Sequence, residues 1–159
     1  MQELQAFFHP VSIEQKKTEL MRCNQVTARY GLTLTETQME QLAVRHEEAL
    51  RASGRVEFGT GVLEKLVQAF CDSPYLVQEE YAETLAELQE QFYHLKTECM
   101  ERVSDDELVE AMRLIYNEAV HGDLSGLADA DRETIYRIVQ TGSLRGTEWE
   151  RNCMRWEDE

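Results

Sequence analysis

The sequence predicts an all-α fold, an irregular bundle of about six helices around one long central helix at about residues 74–102. Three observations carry this. Only two prolines and eight glycines interrupt 159 residues, too few for a turn-rich β fold. Apolar residues recur every three or four positions along most of the chain. Finally, Ser12/Gln15, Thr35/Gln38 and Ser104/Glu107 each match the capping box that opens a helix.

Residues 1–11 read as an N-terminal arm ended by His9-Pro10, and residues 12–142 as the helical domain. The first helix opens at Ser12, carries Ile13, Leu20, Met21 and Val26 inward, and closes at Gly31. The second opens at Thr35, with Leu34 and Met39 as a hydrophobic staple, and runs through Leu42, Ala43, His46 and Leu50 to Gly54. In the third, Val62, Leu63, Leu66, Val67 and Phe70 follow helical periodicity, with Thr60 expected as the cap. Ser73-Pro74 then starts the long helix, in which Tyr81, Leu85, Leu88, Phe92, Leu95 and Cys99 form a heptad seam. At 1.5 Å per residue a helix of about 29 residues is about 43 Å long, enough to cross the domain or to project toward a partner. Leu108, Met112, Ile115, Tyr116 and Ala119 line a fifth helix that Gly122 ends, and residues 123–131 read as a loop. A short helix over Ile135, Ile138 and Val139 follows, and then a charged tail, 143–159, with a Trp stripe.

Composition excludes several functions. A net charge of −15 disfavours nucleic-acid binding, since phosphate contacts need a local excess of Lys and Arg. No apolar run approaches the roughly 20 residues of a membrane helix. The absence of a basic and apolar leader predicts a cytoplasmic chain. Cys23, Cys71, Cys99 and Cys153 include no C-x-x-C pair and read as plain thiols.

Motifs with chemistry are few. The turn Gly59-Thr60-Gly61 before a helix is a conceivable anion site. It lacks both the Lys-Ser/Thr of a P-loop and the third glycine of a dinucleotide fingerprint, so it reads as a helix start. Glu118 and His121 make one Glu-x-x-His unit, but the second that a di-iron bundle needs is missing, and no metal or cofactor is predicted. There is no nucleophile elbow.

What remains is surface. Glu83, Glu87 and Glu90 give the long helix an acidic face that could attract a basic partner. Trp149 and Trp156, with Cys153 between them, form the stripe in the tail, either closing the core or anchoring a partner. The reading is thus a non-enzymatic protein–protein interaction domain, with homodimerisation through the long helix open to it. Its rivals are a small-ligand or metal-binding bundle with a pocket near His46, His94 and His121, and an acidic decoy of a nucleic-acid-binding protein. The runs EFGTGVLEKLVQAFCDSPYL and EAMRLIYNEAVHGDLSGLADAD resemble an uncharacterised family of small acidic helical proteins, a domain of unknown function from Gram-positive bacteria, over residues 10–140. That resemblance implies a bacterial cytoplasmic origin and transfers no functional residue.

Overall fold

A computed structural model describes residues 2–55, 61–100 and 102–150, with side chains from residue 13 onward. The fold is all-α, with seven α-helices and no strand among the described residues. They are α1 Gln2–Thr27, α2 Glu36–Ser53, α3 Val62–Phe70, α4 Tyr81–Glu98, α5 Asp105–Leu114, α6 Leu124–Ala128 and α7 Arg132–Thr141. The chain divides into two compact units, Met1–Asp72 with Leu76–Gln89 and Ser73–Tyr75 with Glu90–Glu159.

In the first unit α1 packs against α2 and α3. The helix α1 begins at Gln2, ahead of the expected start at Ser12, and passes through His9 and Pro10. A 3-10 turn, Ala28–Tyr30, ends it at Gly31, whose φ of 76° is left-handed. The capping box of α2 is complete: Gln38 N–H donates to Thr35 Oγ1 at 3.1 Å, and Thr35 N–H donates to Gln38 Oε1 at 2.9 Å. Leu34 and Met39 of the staple are both buried. The cap of α3 is Gly61 rather than Thr60, and no side chain closes it from that position. The buried face of α3 is the expected one, Val62, Leu63, Leu66, Val67 and Phe70.

The expected long helix over 74–102 is shorter at both ends. Val77 is extended, at φ −120° and ψ 146°, which lets Leu76 turn inward before a 3-10 turn, Gln78–Glu80, leads into α4. At the far end Met100 adopts a left-handed φ of 54°. Eighteen residues make α4 about 27 Å long rather than about 43 Å. Its heptad seam is real and consumed within the chain: Tyr81, Leu85, Leu88, Phe92, Leu95 and Cys99 are all buried.

The second unit pairs the last half of α4 with α5, α6 and α7. Serine 104 and Glu107 complete their capping box, at 3.1 Å and 2.8 Å. Buried Lys96 reaches the start of α5, where its ammonium lies 3.0 Å from Asp105 Oδ1 and donates to the Val103 carbonyl. A π-helical turn, Ile115–Ala119, prolongs α5. The segment expected as a loop over 123–131 contains α6, started by Asp123, whose carboxylate accepts from Ser125 N–H at 3.0 Å. Five residues with a glycine among them carry too little periodicity to announce a helix.

The end of the π turn is held by a strap, Ser73–Tyr75. The Ser73 hydroxyl donates to Asn117 Oδ1 at 2.6 Å, and the Tyr75 ring meets Tyr116 edge-on. Gly122, at φ 84°, lies under that ring: a Cβ there would stand 2.6 Å from Tyr75 Cβ. Gly142 has a similar φ of 67° but open space around it. Gly142→Ala should therefore cost about 1–2 kcal/mol of left-handed strain alone. Gly122→Ala should cost about 3 kcal/mol, because strain and a displaced ring add. Urea denaturation of both variants checks the order; equal losses would show that the strap yields freely.

Candidate functional site

Along α1, Lys16, Glu19, Cys23 and Val26 fall on one face at steps of three and four, and along α3 so do Glu64, Val67, Gln68 and Cys71. Where the two faces meet there is a cavity of about 240 Å³, lined by Glu19, Arg22, Cys23, Val26, Thr27, Glu64, Val67, Gln68 and Cys71. Its polar end is a group of charges in which Lys16 is buried and Glu19 and Glu64 are half-buried. The Lys16 ammonium stands 2.8 Å from Glu19 Oε2 and 3.7 Å from Glu64 Oε1. The two carboxyls also hydrogen-bond each other.

This arrangement separates the two acids. Burial raises the Glu64 carboxyl first, and the hydrogen bond to Glu19 and its charge raise it further, to about 7. Burial acts on Glu19 in the same direction, but the hydrogen bond from Glu64 and the Lys16 ammonium outweigh it and hold Glu19 below the ordinary range. One proton thus resides mainly on Glu64 and is donated to Glu19. The remaining reach of Glu64 goes to the Gly61 N–H, so the N-terminus of α3 is answered by a carboxyl of its own first turn.

The neighbouring thiols are quiet. Burial, then the charges of Glu64 and Glu19, push Cys23 up to about 11, and burial also raises Cys71. Nucleophilic cysteines need the opposite shift. Tyr81, hydrogen-bonded to Thr27, is pushed by burial up to about 12.

The residues singled out from sequence are scattered. Glu83, Glu87 and Glu90 lie on α4, all exposed on one helix face. Trp149 is half-buried, with its backbone N–H donating to Thr147 Oγ1 at 3.2 Å. Trp156, Gly59 and Thr60 lie outside the described residues, as does Cys153. Gly61 is buried at the start of α3. Of the three histidines expected near a pocket, His46 is buried in the first unit, its Nδ1 2.8 Å from Gln89 Oε1. His94 is exposed on α4, and Tyr75 Oη lies 3.1 Å from Nδ1 of His121 in the second unit. None of them lines the cavity. No group of three His, Cys, Asp or Glu among the described residues is placed to hold a metal ion.

Sequence reasoning missed the Lys16–Glu19–Glu64 group. Its signals were a Lys and a Glu in register with inward-facing Leu20, and a lone acid in the otherwise apolar first turn of α3. The sign of its effect on stability follows from the shift. Between the ordinary value of 4.5 and about 7 the folded chain holds the Glu64 proton that the unfolded chain has lost. Stability contributed by this proton therefore falls as pH rises through that window. Glu64→Gln, which mimics the protonated acid, should flatten this fall. At pH 8 it should melt about 2–4 °C above the native chain, the shift that about 1 kcal/mol gives at this size. Thermal melts from pH 5 to pH 8 test this, and parallel curves for the two proteins would contradict it.

The other charged side chains of the first unit need less explanation. Lys17 lies 3.7 Å from Glu14 and 3.6 Å from Glu36, both exposed carboxylates that water screens. Comparison with known proteins finds no match among curated proteins and none among solved structures. A family model does match, over residues 19–145, a span that takes in Glu19, Glu64 and all of α4 and ends before Trp149. The chain belongs to that family, a family of unknown function designated DUF6323.

Proposed function

We propose that this chain is a non-enzymatic interaction module, acting in the bacterial cytoplasm, whose acidic helical surface engages a basic surface of another protein. The observation that carries the reading is the exposed edge of α4 and the turn before it. Glu79, Glu80, Glu83 and Glu87 are all exposed, and among the described residues none of their side chains has a hydrogen-bond or ion-pair partner. Glu90 continues the same helix face. Like charges four apart on a helix cost about 0.2–0.5 kcal/mol per pair, so folding alone does not favour Glu83 opposite Glu87. A basic partner would turn that cost into attraction and speed the encounter. A second copy would bring the same sign of charge to this face, which favours a different protein as the partner.

Two further observations support binding over catalysis. Cys23, Cys71 and Cys99 are raised by burial, away from the thiolate form. The glutamates of this face are exposed, and no helix of the described residues is long and apolar enough to cross a membrane. The test is capture of partners by the tagged chain at moderate salt, beside the triple variant Glu83→Lys, Glu87→Lys, Glu90→Lys. The variant should keep native circular dichroism and lose about tenfold or more of the captured protein, and salt should elute what the native chain holds. Equal capture by both chains would overturn the reading.

A further inference from the structure

Among the charged groups within ion-pair distance of one another at the cavity of the first unit, the acids outnumber the base. Glu19 and Glu64 could carry two negative charges, and Lys16 supplies one positive charge within ion-pair distance. Arg22 lines the cavity too, but it is exposed and makes no ion pair among the described residues. A proton on Glu64 meets the shortfall. Glu64 Oε1 is nevertheless buried without a direct hydrogen bond.

We propose that this cavity binds a small organic amine, its ammonium group between the Glu19 and Glu64 carboxyls and its short apolar body against Val26, Val67 and Cys71. An ammonium supplies the missing positive charge and donates to the carboxyl oxygen that lacks a hydrogen bond. An anion would meet two carboxyls, and a metal ion would lack a third ligand of the usual kind among the described residues. The cavity, about 240 Å³, lies below the roughly 300–1,000 Å³ of drug-sized sites, which points to a short aliphatic chain. Its walls beyond the carboxyls include Val26, Val67, Cys23 and Cys71, a surface suited to methylene groups, beside the polar Arg22, Thr27 and Gln68.

Binding would be linked to protons. The ligand enters as the ammonium ion and the Glu64 proton leaves to water, so the positive charge in the site is exchanged rather than added. The groups facing Glu64 are Lys16, Glu19 and Cys23 from α1; His46 of α2 acts on Glu19, and Cys71 and Tyr81 lie nearby. Within pH 6–8 the cysteines and Tyr81 stay protonated, since Cys23 is pushed up to about 11 and Tyr81 up to about 12. Glu64 and His46 are then the groups to separate.

The probe is isopentylamine, followed by amide shifts of the full chain in two-dimensional NMR, with isopentanol and isovalerate as same-shaped controls. The amine should give saturable shifts confined to residues 19–27 and 61–71, with a Kd near about 1 mM for a ligand this small. The alcohol and the carboxylate should bind about tenfold more weakly or not at all. Affinity for the amine should rise between pH 6 and pH 8 as the competing proton leaves. In Glu64→Gln it should be weak and flat with pH, whereas His46→Gln should keep the rise. Equal binding of alcohol and amine would mean a merely apolar cavity and overturn the proposal. Tighter binding of isovalerate, a pH response carried by His46, or no saturable shift would overturn it as well.

Discussion

When α1 packs on α3, one ammonium is buried and two carboxyls are partly withdrawn from water, and the imbalance among them governs much of the first unit. Burying an isolated carboxylate is costly enough that the group prefers to keep its proton. Lys16 neutralises one charge, and a proton on Glu64 neutralises the other. From this follow the inertness of Cys23, whose thiolate would add a third negative charge, and the character of the cavity beside it. It also answers the Gly-Thr-Gly turn as far as Gly61, because the first donor of α3 already serves Glu64.

The second unit handles a buried charge differently. Lys96 is as deeply buried as any charged residue among those described, yet Asp105 and the Val103 carbonyl satisfy it completely enough to fix the turn from α4 into α5. The pair reads as a structural clasp. The π turn at Ile115–Ala119 is likewise occupied, with Tyr75, Tyr116 and Gly122 filling the space around it. The contrast separates a charge that builds the fold from one that is left available.

What the sequence made legible was local. The capping boxes at Thr35 and Ser104 and the glycine stops at Gly31, Gly54 and Gly142 involve residues a few positions apart, and each stands where expected. The inward seam of α4 was legible for the same reason, since helical spacing alone defines it. Its length was not, because Val77 is extended to let Leu76 pack, a tertiary demand with no local sign. The carboxyl pair lay beyond reach because Glu19 and Glu64 are 45 positions apart and each, alone, looks like a solvated surface charge. The acidic edge of α4 could be read, since four glutamates within nine residues cannot all find partners on their own helix.

The shared proton is the claim on which the cavity, the quiet thiols and the pH response all rest. The direct measurement is the titration of the glutamate side-chain carboxyl carbons by NMR, with Glu19 and Glu64 assigned through their Gln variants. Glu64 should titrate near pH 7 and Glu19 below the ordinary value of 4.5, with each midpoint moving when the other residue is replaced. Two independent titrations near 4.5 would mean that water reaches both carboxyls, and the account of the first unit would fail.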